Sequence, residues 1–338
     1  MLIGHGDDIP NNLAANFSSN VWYGANNDSL YAYLASHLKH TRNYPEVLPT
    51  HLTNCIADYH KVKPENILVT NGATEAIYLI AHTFSKYVTS IVCPAFSEYE
   101  DACNLYKHNL NFISESELKG IQTSQNEMVV IGNPNNPTGT SYSFDFIEKL
   151  LQNNPNTIFV IDEAYADFTT TETSAIGSIT KHANLIITRS LTKKFCIPGL
   201  RLGYIVADSL QISKIKAYKM PWSINTLAIE AGEYLISRTE EYQIPLREWL
   251  SETLRLMNEI RKLNAFNVFP SQTSYFLCET QRSSAAQLKQ YLLKEHALLI
   301  RDASNFRGLS PKHFRICAQS RDENELLINA LKQWTLLF

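Results

Sequence analysis

Short apolar runs at residues 66–70, 90–93, 127–132, 157–162, 184–188 and 203–207 limit most what this chain can fold into. Each is nearly continuous in its apolar residues rather than alternating, and most are separated by helical patterns, among them 74–84, 98–107 and 144–151. Strands that are apolar on both sides and alternate with helices belong to a mainly parallel sheet covered on both faces. Before these runs, Leu30, Tyr31, Leu34 and Leu38 mark a helix beginning near Asp28. Asn43-Tyr44-Pro45 interrupts it, and a second helix is expected over 50–60.

After Pro221-Trp222-Ser223 the pattern changes. Long helices are expected over 225–238 and 245–263, then short strands at 275–278, 297–301 and 313–317. A closing amphipathic helix carries Leu326, Leu327, Ala330, Leu331 and Trp334. The expectation is an α/β fold: a large domain with a mainly parallel sheet between helices, and a smaller α+β C-terminal domain, divided near 225–245. A chain of 338 residues, 44% hydrophobic, has ample core for this. The net charge of −3 gives no basic excess for nucleic acid or an anionic membrane surface. The six cysteines show no Cys-x-x-Cys spacing, so buried free thiols in a reducing compartment are expected rather than a disulfide framework or a zinc site. The first residues carry no cationic flank and no long apolar stretch, and no run approaches a membrane span; a cytoplasmic protein without nucleic-acid or membrane partners is expected.

In open α/β sheets ligands gather beyond the carboxyl ends of the strands, and four polar clusters fall there. Thr70-Asn71-Gly72-Ala73-Thr74-Glu75 turns into a helix N-terminus, which offers free N–H groups and a positive dipole end to a phosphate; an ordinary βα turn capped by Thr74 is the plainer alternative. Asn133-Pro134-Asn135-Asn136-Pro137-Thr138-Gly139 is a stiff loop that pre-aims its side chains, unless it is simply a turn. Asp162, at the end of an apolar strand, is costly to bury unpaired. A protonated pyridine nitrogen suits it, as would a metal or a helix cap. In Arg189-Ser190-Leu191-Thr192-Lys193-Lys194, a lysine follows a strand, with a hydroxyl three positions before it and Arg201 eight after. This reads as Lys193 holding pyridoxal phosphate as a Schiff base, with Ser190 and Arg201 on its phosphate. A solvated lysine pair is the bland alternative, and the clusters together outweigh it.

With these motifs the chain resembles the pyridoxal-phosphate enzymes of fold type I, in the aminotransferase class I/II superfamily, over nearly its whole length. Within it the chain resembles the histidinol-phosphate aminotransferase group and, more closely, the threonine-phosphate decarboxylases of cobalamin biosynthesis. The finer likeness is carried by His5-Gly6, by Arg189 to Tyr204 with its Ile197-Pro198-Gly199 continuation, by Met220-Pro221-Trp222-Ser223-Ile224-Asn225, and by Leu299-Ile300-Arg301 running to Asn305, Gly308 and Phe314-Arg315.

The resemblance implies that Lys193 and Asp162 are catalytic, Asp162 pairing with the ring nitrogen. It implies Asn136 and Tyr165 at the ring hydroxyl, Phe96 stacked on the ring, and Ala73, Thr74, Ser190 and Arg201 at the cofactor phosphate. Tyr44 would reach the cofactor phosphate of a partner subunit in a homodimer with shared sites. His5, Gly6, Asn20, Asn136, Arg301 and Arg315 would hold a small phosphorylated amino-acid substrate. Residues 1–27 would form an arm at the substrate site, 28–235 the cofactor domain and 236–338 the small domain.

Two reactions are open. In decarboxylation, the substrate phosphate would occupy Arg301 and Arg315, with His5 helping, which turns the carboxylate perpendicular to the ring; in amino transfer Arg315 would hold the carboxylate near the ring plane. A non-catalytic regulator on the same fold is disfavoured by the intact Lys193, Asp162 and Arg201. The sequence departs from the family at Asp7, at Val21-Trp22-Tyr23-Gly24-Ala25, which replaces an Asn-Pro-Leu-Gly loop at the substrate entrance, and at Lys194, where an apolar residue is usual.

Overall fold

The structure, a computed structural model, describes residues 12–123 and 127–337. Its strands are β1 (Ala15–Asn16), β2 (Ile67–Thr70), β3 (Val88–Val92), β4 (Asn109–Ile113), β5 (Glu127–Gly132), β6 (Ile158–Asp162), β7 (Leu185–Ser190), β8 (Gly203–Ala207), β9 (Phe266–Val268), β10 (Tyr275–Thr280), β11 (Leu298–Leu299), β12 (Arg301–Asp302) and β13 (His313–Cys317). A seven-stranded sheet has the order β2-β8-β7-β6-β5-β3-β4. Every pairing in it is parallel except those of β8, which runs antiparallel to both β2 and β7.

The two faces of this sheet explain its apolar runs. Val69, Ile131, Ile161, Ile187 and Val206 enter one core, while their chain neighbours Leu68, Val130, Val160, Ile186 and Ile205 enter another on the opposite face. Side chains alternate along a strand, so a sheet buried on both sides must be apolar at every position.

Register sets the working edge. Gly132 lies opposite Asp162, Asp162 opposite Thr188, and Gly203 opposite both Ser190 and Thr70. The carboxyl ends of β2, β5, β6 and β7 therefore share one edge with the amino end of β8. The reversal of β8 is what brings Arg201, two residues before it, to that edge.

The C-terminal part forms a four-stranded antiparallel sheet, β12-β13-β10-β9. Its core joins Leu256, Ile260, Phe276, Ile316, Leu327 and Trp334 with Ala15 and Phe17 from near the start of the chain. That early segment is held by β1, which pairs with β11 in parallel. The run expected as one strand over 297–301 thus divides: Leu298–Leu299 binds the early segment, and Arg301–Asp302 pairs with β13. The edge strand β4, two helices (Ser209–Lys216 and Ala285–His296) and the short β9 were not anticipated. β4 is largely exposed and so lacks an apolar run.

Gly203 shows how closely the edge is packed. A Cβ there would lie 2.7 Å from the Ala73 nitrogen and the Arg189 oxygen, both backbone atoms that cannot swing aside. Gly203→Ala is expected to destabilise the fold by about 1–3 kcal/mol through overpacking, read as a lower urea midpoint.

Candidate active site

One cleft of about 580 Å³ opens at this edge, and it is lined by Ala73, Thr74, Phe96, Asn136, Asp162, Tyr165, Ser190, Lys193 and Arg201, all singled out from the sequence, together with Tyr99, Pro134, Ala164 and Thr192. Ser190 ends β7 and caps the short helix Leu191–Lys194, its Oγ accepting from the Thr192 N–H at 3.4 Å. Lys193 sits in that turn with Nζ 5.7 Å from the centroid of the Tyr165 ring. Its carbonyl accepts from the Trp22 N–H at 3.0 Å, which ties the early segment to the lysine turn. Lys194 is directed elsewhere: its Nζ is 3.5 Å from Asp167 Oδ1, in a separate small cavity with Arg189 and Tyr204.

The phosphate-like end is built from backbone constraints. Gly72, at φ +75°, opens the helix Gly72–Thr83, and a Cβ there would stand 2.6 Å from Arg201 Nη2. Arg201 itself is left-handed at φ +57°. The guanidinium thus lies against a helix N-terminus, beside the hydroxyls of Thr74 and Ser190, a donor set suited to an anion. Its only hydrogen-bond acceptor among the described residues is the Pro198 carbonyl, at 3.2 Å. Glu75 does not oppose it, being tied to the Asn71 N–H and to the buried Lys219.

At the other end Asp162 is buried, which pushes its carboxyl up. Hydrogen bonds from Tyr99 Oη to Oδ2 (2.6 Å), and from the Ala164 N–H and Thr188 Oγ1 to Oδ1 (both 3.0 Å), pull it part of the way back, as does the charge of Lys193, and the carboxyl stays above its ordinary range. Phe96 stands edge-on to Tyr99, ring centroids 5.9 Å apart.

A second group of polar residues adjoins the cleft. Arg301 and Arg315 are register partners on β12 and β13, so they project from the same face of the small sheet, and both are buried. Arg315 donates to Asn136 Oδ1 and to the Ser18 carbonyl, while its Nε has no partner among the described residues. Arg301 donates to Asn305 Oδ1 at 2.9 Å. Asn20, 3% exposed, has neither amide atom hydrogen-bonded among the described residues. Leaving such a group unsatisfied costs about 1–3 kcal/mol, so its donor and acceptor suit a polar ligand.

Tyr44 stands apart. It is 86% exposed and lies by Trp222, ring centroids 5.5 Å apart, in a groove separate from the cleft. His5 and Gly6 lie outside the described residues. Sequence reasoning missed Tyr99 and Thr188, although Tyr99 follows Phe96 by three residues and a helical turn there places the two near each other.

A cleft holding a lysine, a buried carboxylate and an arginine-backed helix N-terminus at the carboxyl edge of an α/β sheet is the site of an enzyme that binds a phosphorylated cofactor. The chain belongs to the aminotransferase class I and II family, which it matches over residues 10–331. Its cofactor is pyridoxal phosphate. The solved structure of L-threonine-O-3-phosphate decarboxylase from Porphyromonas gingivalis is 38% identical, with a TM-score of 0.92, covering 95% of this chain and 99% of that one. The threonine-phosphate decarboxylase of Salmonella typhimurium is 30% identical, over 88% of this chain and 85% of its own length. The histidinol-phosphate aminotransferase of a Thermoanaerobacter species is 33% identical, over 87% of this chain and 84% of its own. No helix among the described residues is long and apolar enough to cross a membrane.

Behind the lysine turn lies a buried polar chain. Arg189 bridges Glu163 at 3.1 Å and Asp167 at 3.3 Å and bonds Tyr204, whose Oη is 2.7 Å from His60 Nε2. Burial, reinforced by the charge of Arg189, pushes His60 down from 6.5 to about 3. Between those values the unfolded chain binds the extra proton, so this contribution to stability is full above pH 6.5 and is lost as pH falls toward 3. His60→Gln is therefore expected to flatten the acid loss of stability in that window, measured as urea midpoints at pH 5 and pH 7.

Proposed function

We propose that this protein decarboxylates L-threonine O-3-phosphate to (R)-1-amino-2-propanol O-2-phosphate and CO2, a step of cobalamin biosynthesis. The observation that carries the reading is the 38% identity to the Porphyromonas gingivalis L-threonine-O-3-phosphate decarboxylase over 95% of the chain. The site chemistry supports it. Two guanidinium groups on one face of the small sheet suit a phosphorylated amino-acid substrate, as does the buried amide of Asn20.

The residues fit the cofactor. Arg201, Ser190, Thr74 and the N–H groups at Ala73 would hold its phosphate, Phe96 would cover a ring face, and Asn136 and Tyr165 would meet the ring oxygen. Asp162 would keep the ring nitrogen protonated, and Lys193 would be the amine that anchors the cofactor covalently. When bound, pyridoxal phosphate supplies an electron sink and thereby most of the barrier reduction of about 8–23 kcal/mol typical of enzymes, against about 1.5–3 for a single charged hydrogen bond. The chain's own part is to choose the bond. Arg301 and Arg315, with His5, would take the substrate phosphate and turn the carboxylate out of the ring plane. Lys193, freed of its anchoring role, would return a proton from Nζ to the carbon that lost CO2, the one proton the overall reaction consumes.

We take residues 28–235 as the cofactor domain, 236–338 as the small domain and 1–27 as an arm at the substrate site. The exposed Tyr44 and Trp222 support a homodimer in which Tyr44 serves the partner's cofactor phosphate; a cytoplasmic location fits the free cysteines. The second reading is amino transfer, favoured by the 33% identity to a histidinol-phosphate aminotransferase, with Arg315 on the carboxylate.

Protein loaded with pyridoxal phosphate and given L-threonine O-3-phosphate without an amino acceptor is expected to release CO2 in step with substrate loss. Absence of CO2, with an acceptor-dependent oxo product from histidinol phosphate, would select the second reading. Lys193→Ala should abolish the borohydride-reducible link to the cofactor, and Lys194→Ala should retain it; the reverse would reassign the lysine.

A further inference from the structure

We infer that Tyr99 is a positioning residue: its hydroxyl fixes the Asp162 carboxylate and holds it as an anion for the cofactor ring nitrogen. The inference rests on the assignment of Asp162 to that nitrogen.

The geometry is specific. Tyr99 is 4% exposed, and its Oη donates to Asp162 Oδ2 at 2.6 Å, a charge-assisted distance. Oδ1 is already taken by the Ala164 N–H and Thr188 Oγ1. Without Tyr99 the carboxylate would be restrained through one oxygen only, free to rock about that pair of bonds. With it, both oxygens are fixed and the carboxylate plane is set. Tyr99 also presents its ring edge-on to Phe96, so one side chain braces both the carboxylate and the aromatic wall of the cleft.

The electrostatics run the same way. Burial, then the Asp162 charge, push the Tyr99 phenol well above its ordinary range, so it stays protonated and always donates. Each donor to a carboxylate lowers its basicity, so the Tyr99 hydroxyl counters the rise that burial imposes on Asp162 and biases a shared proton toward the ring nitrogen. Other titratable groups facing the pair include Lys193, which favours the anion, and the phenols of Tyr165 and Tyr275. A tyrosine retained only for packing would give its hydroxyl no such target.

The test is Tyr99→Phe, which keeps the ring, made in the wild type and in Asp162→Asn. The readouts are the dissociation constant for pyridoxal phosphate and the pH at which the acid limb of cofactor retention reaches its midpoint, neither of which needs substrate. In the wild type the variant is expected to weaken cofactor binding about 10-fold and to move the acid midpoint up by about one pH unit, the loss of one charged hydrogen bond. In the Asp162→Asn background it should change neither. Wild-type affinity and midpoint in Tyr99→Phe would overturn the inference, as would an equal loss in both backgrounds. A lower melting temperature with unchanged affinity and midpoint would show packing only and overturn it too. Asp162→Asn that binds the cofactor normally would instead remove the Asp162 assignment on which the inference stands. Should Tyr99→Phe fail to fold, Tyr99→His, which keeps a donor, must retain the wild-type midpoint if the hydroxyl's role is donation; a midpoint shifted as far as in Asp162→Asn would overturn it.

Discussion

A carboxylate at the end of a strand buried on both faces is the constraint around which this structure is arranged. Asp162 follows Ile158-Phe159-Val160-Ile161, all buried, and burial alone would favour its neutral acid. Keeping an anion there requires donors on both oxygens and a positive charge nearby. The chain supplies them from four places: Tyr99 from a helix, Thr188 from the adjacent strand, the Ala164 N–H from the following turn, and Lys193 from the turn after β7. Neither side of the pairing can move independently, because Asp162 and Thr188 are register partners within the sheet.

The second organising device is the reversal of β8. In a fully parallel sheet the segment preceding a strand lies at the edge opposite the working one. With β8 antiparallel, its amino end meets the carboxyl ends of β2 and β7, and Arg201 arrives beside Ser190 and the helix that starts at Gly72. Glycine at 72 and 203 then permits the approach, since a Cβ at either would strike the guanidinium or the backbone it rests on. The anion-binding end of the cleft is thus a consequence of topology before it is one of side-chain chemistry.

The parts legible in the sequence were those encoded locally. Doubly buried strands announce themselves as apolar runs, and the polar residues that end them must face something, so Lys193, Asp162, Asn136, Thr74 and Arg201 could be named from position. β4 could not be, because an exposed edge strand carries no apolar run. The division of 297–301 between two sheets depends on Ala15–Asn16, nearly three hundred residues away, and no local pattern encodes it. Tyr99 was hidden for the same reason: that its hydroxyl meets Asp162 is set by how a helix docks on the sheet. The pairing of Arg301 with Arg315 likewise follows from strand register. Tyr44 was named from resemblance, and within one chain it lies outside the cleft.

The arginines show how a fold separates holding a charge from using one. Arg189 faces Glu163 and Asp167, and its charge is spent on that buried pairing. Arg315 is fixed just as firmly, but by the amide oxygen of Asn136 and the Ser18 carbonyl, both neutral. Neutral acceptors orient a guanidinium without cancelling it, and among the described residues Nε has no partner. Arg201, whose one acceptor among the described residues is the Pro198 carbonyl, follows the same rule. The tie to Asn136 adds a further consequence. Its Oδ1 is committed to Arg315, so its Nδ2 is the atom left for the cleft, and any anion that draws Arg315 draws the loop that lines the cofactor site with it.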